Sequence, residues 1–295
     1  MIGTTLEQEI DYYYIINNSV ISSQACISEN ITIVIYNNLN KTHKLYIESL
    51  IPKLLPRYQR EAQQLLNGYE IYLGEIEKRP RFHIPTQYQS SEGEYLIAHH
   101  ISQKAKINLI PLTSLNKCLA SEEKFIVIPI TIVNIYVRDV IYNENTQKLE
   151  IIPSSSSKHS NLILINKELR EIEHFEPRGG ILSAFRDNPN IELTLIEFLN
   201  SMGVPSDYRY FSAMQWCPYG PQLYEITSSR LWFGFKGGFC AYWSLYYFAA
   251  RIQNPDATRN EVIDMLLNLS SNDLADLIIR FSNDLATATK SSVKK

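Results

Sequence analysis

Thirteen residues, 240–252, restrict this chain more than any other stretch. They contain no proline and no glycine, and their one charge is Arg251. Asn254-Pro255 closes the run, because a residue that precedes proline resists the helical region. Such a run predicts a buried helix, and its first residue is Cys240. Free N–H groups and the positive end of the helix dipole favour a thiolate at that position, and the thiolate is the nucleophilic form of cysteine. Gly237-Gly238 just ahead would let a substrate backbone approach closely. A cysteine on an apolar helix is by itself more often a packing residue, so the rest of the chain has to decide.

The wider composition excludes several classes of function. A chain of 295 residues with a net charge of -3 offers no electrostatic reason for nucleic acid or an anionic membrane as partner. Its four cysteines, Cys26, Cys118, Cys217 and Cys240, are widely spaced and include no CxxC pair. They read as neither a disulfide framework nor a zinc site, and they suit a reducing compartment. His99 and His100 are adjacent; on a strand they point to opposite faces, which argues against a shared metal ion. No apolar stretch is long enough to span a bilayer, and Met1 is not followed by a signal peptide. The expectation is a cytosolic protein, or one exported without a cleaved leader.

Along the chain, 12–16 and 31–36 read as strands among Asn-rich turns. The pattern from 45 to 69 is helical, with the firm helix after Pro56 and a stop at Gly68. Residues 75–95 are polar and proline-bearing, and read as a loop or a boundary. The β-forming run 124–133 predicts a buried strand that bends or meets an edge at Pro129. Strand material follows on both sides of Asn143-Glu144-Asn145, and 154–157 reads as a polar linker. A helix over 193–202 ends at Gly203, and the turn-rich, aromatic stretch 214–222 should pack. Cys217, before a proline and away from any helix start, is expected to be structural. Thr258 and Glu261 form a capping box, and a further amphipathic helix starts near Ser271.

Residues 161–166 and 169–175 read as a hairpin. A loop at Lys167-Glu168 pairs His159 with Glu176; a loop at Asn166-Lys167 pairs His159 with His174 and leaves Glu176 diagonal. Either register leaves a histidine and a carboxylate on one face at the open end. There the carboxylate can accept the imidazole N–H, set its tautomer and stabilise the cation. In chain order, His159, Glu176, Gln222 and Cys240 supply what nucleophilic cysteine chemistry needs: a base, its orienting acid, an amide for the oxyanion and the thiol. Gln215 is a second candidate for the amide.

That order resembles the ubiquitin-like protease family, the clan CE cysteine peptidases that process SUMO and related modifiers. His159-Ser-Asn-Leu, Phe175-Glu-Pro-Arg-Gly179, Gly220-Pro-Gln222 and Gly238-Phe-Cys-Ala-Tyr-Trp-Ser244 are similar to a branch known from large DNA viruses and intracellular bacteria. The resemblance covers roughly residues 122–255. It departs from the usual pattern at Ser160, where tryptophan is common, at Glu176, where aspartate is usual, and in the long interval from Gln222 to Cys240.

The resemblance implies an α+β, papain-like fold with a central mixed sheet and the nucleophile at a buried helix N-terminus. It implies residues 1–120 as an N-terminal recognition region and 121–295 as the catalytic domain. The implied catalytic residues are Cys240, His159, Glu176 and Gln222, with Trp216, Trp232 and Gly238 flanking the substrate. The implied reaction is release of ubiquitin or a ubiquitin-like modifier from its conjugates, with no metal or organic cofactor, no nucleic acid and no membrane insertion. It also implies a cytoplasmic protein or an effector delivered into a host cytosol. A YopJ-type acetyltransferase on the same fold and a non-catalytic ubiquitin-binding module are the alternatives.

Overall fold

A computed structural model describes residues 25–28, 30–73, 115–186, 188–225, 228 and 239–292. The chain divides into two compact units, Met1–Glu29 with Gln89–Pro129 and Ser160–Lys295, and Asn30–Tyr88 with Ile130–His159. Both are built from strands with helices packed against them, an α+β arrangement with a mixed sheet.

In the smaller unit, β2 (Ile31–Asn37) lies between β3 (Tyr69–Leu73), antiparallel, and β4 (Phe125–Asn143), parallel. Helices α1 (Lys41–Leu50) and α2 (Pro56–Asn67) connect β2 to β3. Pro56 opens α2, where a missing N–H costs nothing, and Gly68 ends it in the left-handed region at φ 83°. Ile47, Leu50, Leu54 and Leu65 cover Val34, Val133 and Ile135 in this unit's core. The predicted strand 12–16 and the loop 75–95 lie outside the described residues.

In the larger unit, β1 (Ala25–Ile27) runs parallel to the start of β4. Next come β5 (Lys148–Asn166), which belongs to this unit from Ser160 onward, β6 (Glu171–Phe175) and β7 (Arg209–Phe211); the sheet order is β3-β2-β4-β5-β6-β7, with β1 off this path on β4. Strand β4 continues through Pro129. It takes β1 as parallel partner over Phe125–Val127 and β2 from Ile130 onward, so the residue without an N–H falls in the interval between two partners. The expected linker at 154–157 is instead inside β5. A polar stretch serves as strand there because backbone bonds hold it, and the Ser154 hydroxyl also donates to the Tyr136 carbonyl at 3.0 Å.

The remaining described elements are α3 (Leu115–Ala120), α4 (Pro189–Ser201), α5 (Ala213–Trp216), α6 (Pro221–Glu225), α7 (Cys240–Gln253), α8 (Arg259–Leu267) and α9 (Ser271–Ser292). Helix α7 has the span that its sequence implies, and α8 carries both halves of the Thr258–Glu261 capping box. Trp243, Tyr247 and Phe248 of α7 pack with Leu162, Leu164, Phe175, Leu274 and Phe281 in one core. Each such side chain removed from water contributes about 1.5–3 kcal/mol.

The reading of four unlinked cysteines is corrected. Cys26 and Cys118 form a disulfide across 92 residues of sequence, with Cα atoms 5.5 Å apart. Cys26 sits in β1, which pairs with the beginning of β4, and α3 with Cys118 leads directly into that same end of β4. Tertiary pairing makes them neighbours, and sequence spacing has no trace of it. Replacing both cysteines with alanine should lower unfolding stability by about 2–4 kcal/mol. Urea unfolding followed with and without reductant reads this; coincident curves for the wild type would show that the cross-link contributes nothing.

Candidate active site

Helix α7 has a polar line running along an apolar rod. Cys240, Ser244, Tyr247 and Arg251 are spaced by four, three and four residues, which at 3.6 residues per turn places them on one stripe. Three residues of that stripe, Ser244, Tyr247 and Arg251, reach the hairpin β5–β6. Arg251 Nε and Nη2 donate to the two oxygens of Glu173 at 3.0 and 2.7 Å, and the Tyr247 hydroxyl donates to the same carboxylate at 2.7 Å. The Tyr247 ring stacks on Phe175 with centroids 4.2 Å apart. The Ser244 hydroxyl donates to the Ser160 carbonyl at 3.4 Å.

The strand register gives this stripe a direction. Glu173 pairs with Leu164 and Phe175 with Leu162, and Ser160 lies two residues farther along β5. Travelling along α7 from Arg251 to Ser244 therefore follows the hairpin from its closed end toward its open end. Cys240 is one more turn on, about 6 Å beyond Ser244. It opens the helix and is half-buried. His159 is the residue before Ser160, is 9% exposed and closes the smaller unit.

The register itself differs from both expectations. Asn166 pairs with Glu171, so the loop has four residues, 167–170, and the return strand begins at Glu171 rather than Leu169. The Asn166 side chain accepts from the N–H groups of Glu168 and Leu169, both at 3.1 Å, and Arg170 takes a positive φ of 55°. An asparagine that caps its own turn holds the larger loop open. The shift is by an even number of residues, so each side chain keeps its face.

Alternation along β6 fixes the side of the sheet that His174 takes. On β6, Glu173 and Phe175 meet α7, and His174 between them points the other way. His174 is 1% exposed, with Phe185 edge-on at 4.8 Å, Asn161 Nδ2 3.1 Å from Nε2, and Glu192 of α4 3.9 Å from Nδ1. Burial opposes ionisation of Glu192, yet hydrogen bonds from His174, Ser212 and Tyr210 hold its carboxyl below the usual value. His174 belongs to a buried polar cluster on the sheet face away from Cys240.

Glu176 and Gln222 are brought together by a backbone seam. The segment 176–180 lies against 213–222 so closely that side chains are excluded. A Cβ on Gly179 would come 2.5 Å from the Gly220 nitrogen, and one on Gly220 would overlap the Pro177 carbonyl oxygen. Hydrogen bonds stitch the seam: Gln222 N–H to Pro177 O at 2.9 Å, Gly180 N–H to Cys217 O at 2.9 Å, and Ile181 N–H to Pro218 O at 3.1 Å. Glu176 is fully buried, with Oε1 accepting from the Arg178 N–H at 3.0 Å, and Gln222 is 1% exposed. Gln215 instead completes a capping box with Ser212 at the start of α5.

The two cysteines without a disulfide have opposite surroundings. Cys217 is buried, and its thiol donates to the Tyr219 carbonyl at 3.5 Å. Burial pushes that thiol far above its ordinary pKa, and the Glu176 carboxylate adds to the rise. Cys217 stays protonated, as a structural cysteine should. Trp216 sits in the core, tilted against Phe175 at 6.3 Å and Tyr247 at 5.5 Å. Trp232 and Gly238 lie outside the described residues. Among the described residues no cluster of His, Cys, Asp or Glu could hold a metal ion, and no helix is long and apolar enough to cross a membrane. The residues missed by motif reading are Glu173, Tyr247 and Arg251; the polar spacing inside the apolar run was their signal.

No family model matches the chain, and no curated protein matches it in sequence. Three solved structures of Chlamydia trachomatis proteins are similar. ChlaDub1 is 10% identical, with 83% of this chain and 88% of that one covered at a TM-score of 0.36. A structure of the effector protein ChlaDUB1 is 9% identical over 97% and 91%, at 0.37. The effector protein Cdu1 bound to ubiquitin is 11% identical over 83% and 89%, at 0.34.

The seam makes a testable demand. Gly220→Ala should lower the thermal midpoint more than Gly68→Ala, because Gly68 has open space around it and costs only about 1–2 kcal/mol of backbone strain. Equal losses in thermal unfolding would mean that the seam tolerates a side chain.

Proposed function

We propose that this chain is a cysteine isopeptidase that removes ubiquitin or a ubiquitin-like modifier from target proteins. Its motifs also resemble those of the deubiquitinating effector LupA, one bacterial protein of this type. The observation that supports this most is the stripe of α7, which directs Cys240 along the hairpin toward its open end, where β6 runs into Glu176. A thiol at a helix start, only partly buried, is suited to attack; the buried Cys217 is not.

In this reading the Cys240 thiol passes its proton to His159, and the thiolate attacks the carbonyl carbon of the modifier's terminal glycine. The Gln222 amide and the backbone N–H groups at the start of α7 receive the oxyanion. Collapse of the tetrahedral intermediate breaks the C–N bond, and His159 gives its proton to the leaving amine. The ring then takes a proton from water, hydroxide attacks the thioester, and Cys240 leaves as thiol. Glu176 orients the ring and stabilises its cation, a task for which full burial suits a carboxylate. Gly238 and Trp232 flank the modifier tail, and Trp216 backs the site from the core. Residues 1–120 contribute recognition of the conjugate. The chemistry needs no cofactor, and the place of action is a cytosol, the cell's own or a host's.

A ubiquitin probe with an electrophilic C-terminus should label the wild type covalently and leave Cys240→Ala unlabelled. Fluorogenic ubiquitin, SUMO and related conjugates then identify the modifier. Acetyl transfer from acetyl-CoA without labelling would replace this reading with the acetyltransferase, and binding without labelling would leave a binding module. His159→Ala should abolish turnover, while His174→Ala, whose ring packs among Asn161, Phe185 and Glu192, should keep much of it. Equal loss in both, in folded protein, would remove His159 from its assigned role.

A further inference from the structure

Arg251 is 1% exposed and Glu173 fully buried, and between them they hold a charged network of five hydrogen bonds. The guanidinium grips Glu173 with two nitrogens, and its third donates to Ala257 O at 2.7 Å and Asn254 O at 3.5 Å, in the turn after α7. Such a pair is a poor explanation of stability, since apolar side chains of similar volume often do as well or better once desolvation is counted. What an apolar surface cannot supply is a single register. A helix resting on Leu162, Leu164 and Phe175 alone could slide or rotate at little cost, whereas a two-pronged fork on one carboxylate permits one axial position and one rotation.

We propose that the Arg251–Glu173–Tyr247 clamp is the positioning device of the reactive thiol, fixing α7 on β6 so that Cys240 is held at the open end of the hairpin. This rests on the isopeptidase reading above. Cys240 and Arg251 are at opposite ends of one stripe, about 16 Å apart along the helix. Glu173 lies in β6, three residues before Glu176, which directly follows that strand. One carboxylate thus references the nucleophile's helix directly to the strand that delivers the orienting acid. A slip of one residue moves the thiol by about 1.5 Å, and a misplacement near 1 Å can cost about 10²-fold in rate.

The test uses the full chain. In a triple variant, Glu173→Leu with Tyr247→Phe and Arg251→Met, the core stays filled and no charge is left buried. Expected are a thermal midpoint at or above that of the wild type, an unaltered KM for the fluorogenic modifier that the wild type cleaves, and a kcat lower by about 10²-fold. Arg251→Lys keeps the charge without the fork, so its kcat should fall between the two; it carries the test alone if the triple variant does not fold. An unchanged kcat in the folded variant overturns the proposal. If the wild type cleaves no modifier, the functional reading fails, and the clamp is then judged by alkylation of Cys240 with chloroacetamide at neutral pH. Slower alkylation in the variants, located by peptide mass spectrometry, supports the clamp, and equal rates overturn it.

Discussion

One stripe of side chains on α7, seated on the β5–β6 hairpin, organises the larger unit. Tyr247 and Arg251 close on Glu173, Tyr247 stacks on Phe175, and Ser244 reaches the backbone at Ser160. Burying a carboxylate this deeply is costly, and it is tolerated because every contact is charged or directed. The Tyr247 hydroxyl stays protonated as part of the same bargain: burial first, then Glu173, raises its pKa well above the ordinary value. Burial works against the charge on Arg251, and hydrogen bonding and attraction to Glu173 more than restore it.

The second organising constraint is steric. Three glycines, Gly179, Gly180 and Gly220, let two loops meet backbone to backbone, and Glu176 and Gln222 are at the two sides of that meeting. Neither loop needs regular secondary structure to be well placed. The Cys217 and Pro218 carbonyls accept from the loop that follows Glu176, and Cys217 fills space beside the carboxylate as a neutral thiol. Rigid loops on a rigid sheet are a common solution where side chains of distant sequence have to share one small volume.

Much of this was legible beforehand. The ends of α7, the left-handed stop at Gly68, the Thr258–Glu261 capping box and the structural role of Cys217 follow from local chemistry that a sequence displays. The face on which each hairpin residue lies was legible too, since the actual loop differs from the expected ones by an even count. The loop length was not, because it depends on how the Asn166 side chain satisfies its own turn. The 154–157 strand was hidden by serine, whose composition says turn while its pairing partner says sheet. The partners of Arg251 were hidden as well: a charge near a helix end looks like a solvated terminus until a buried glutamate appears from elsewhere.

The bond between Cys26 and Cys118 has a consequence for how the protein remembers its surroundings. Both residues are wholly shielded from solvent. Thiol exchange requires an attacking thiolate to touch one of the sulfurs, so a cellular reductant has to wait for the segment to open. Cys240, only partly buried, does not have to wait for that opening. One polypeptide thus carries two redox clocks. The fast one follows the compartment of the moment, and the slow one keeps a record of the compartment in which the chain folded.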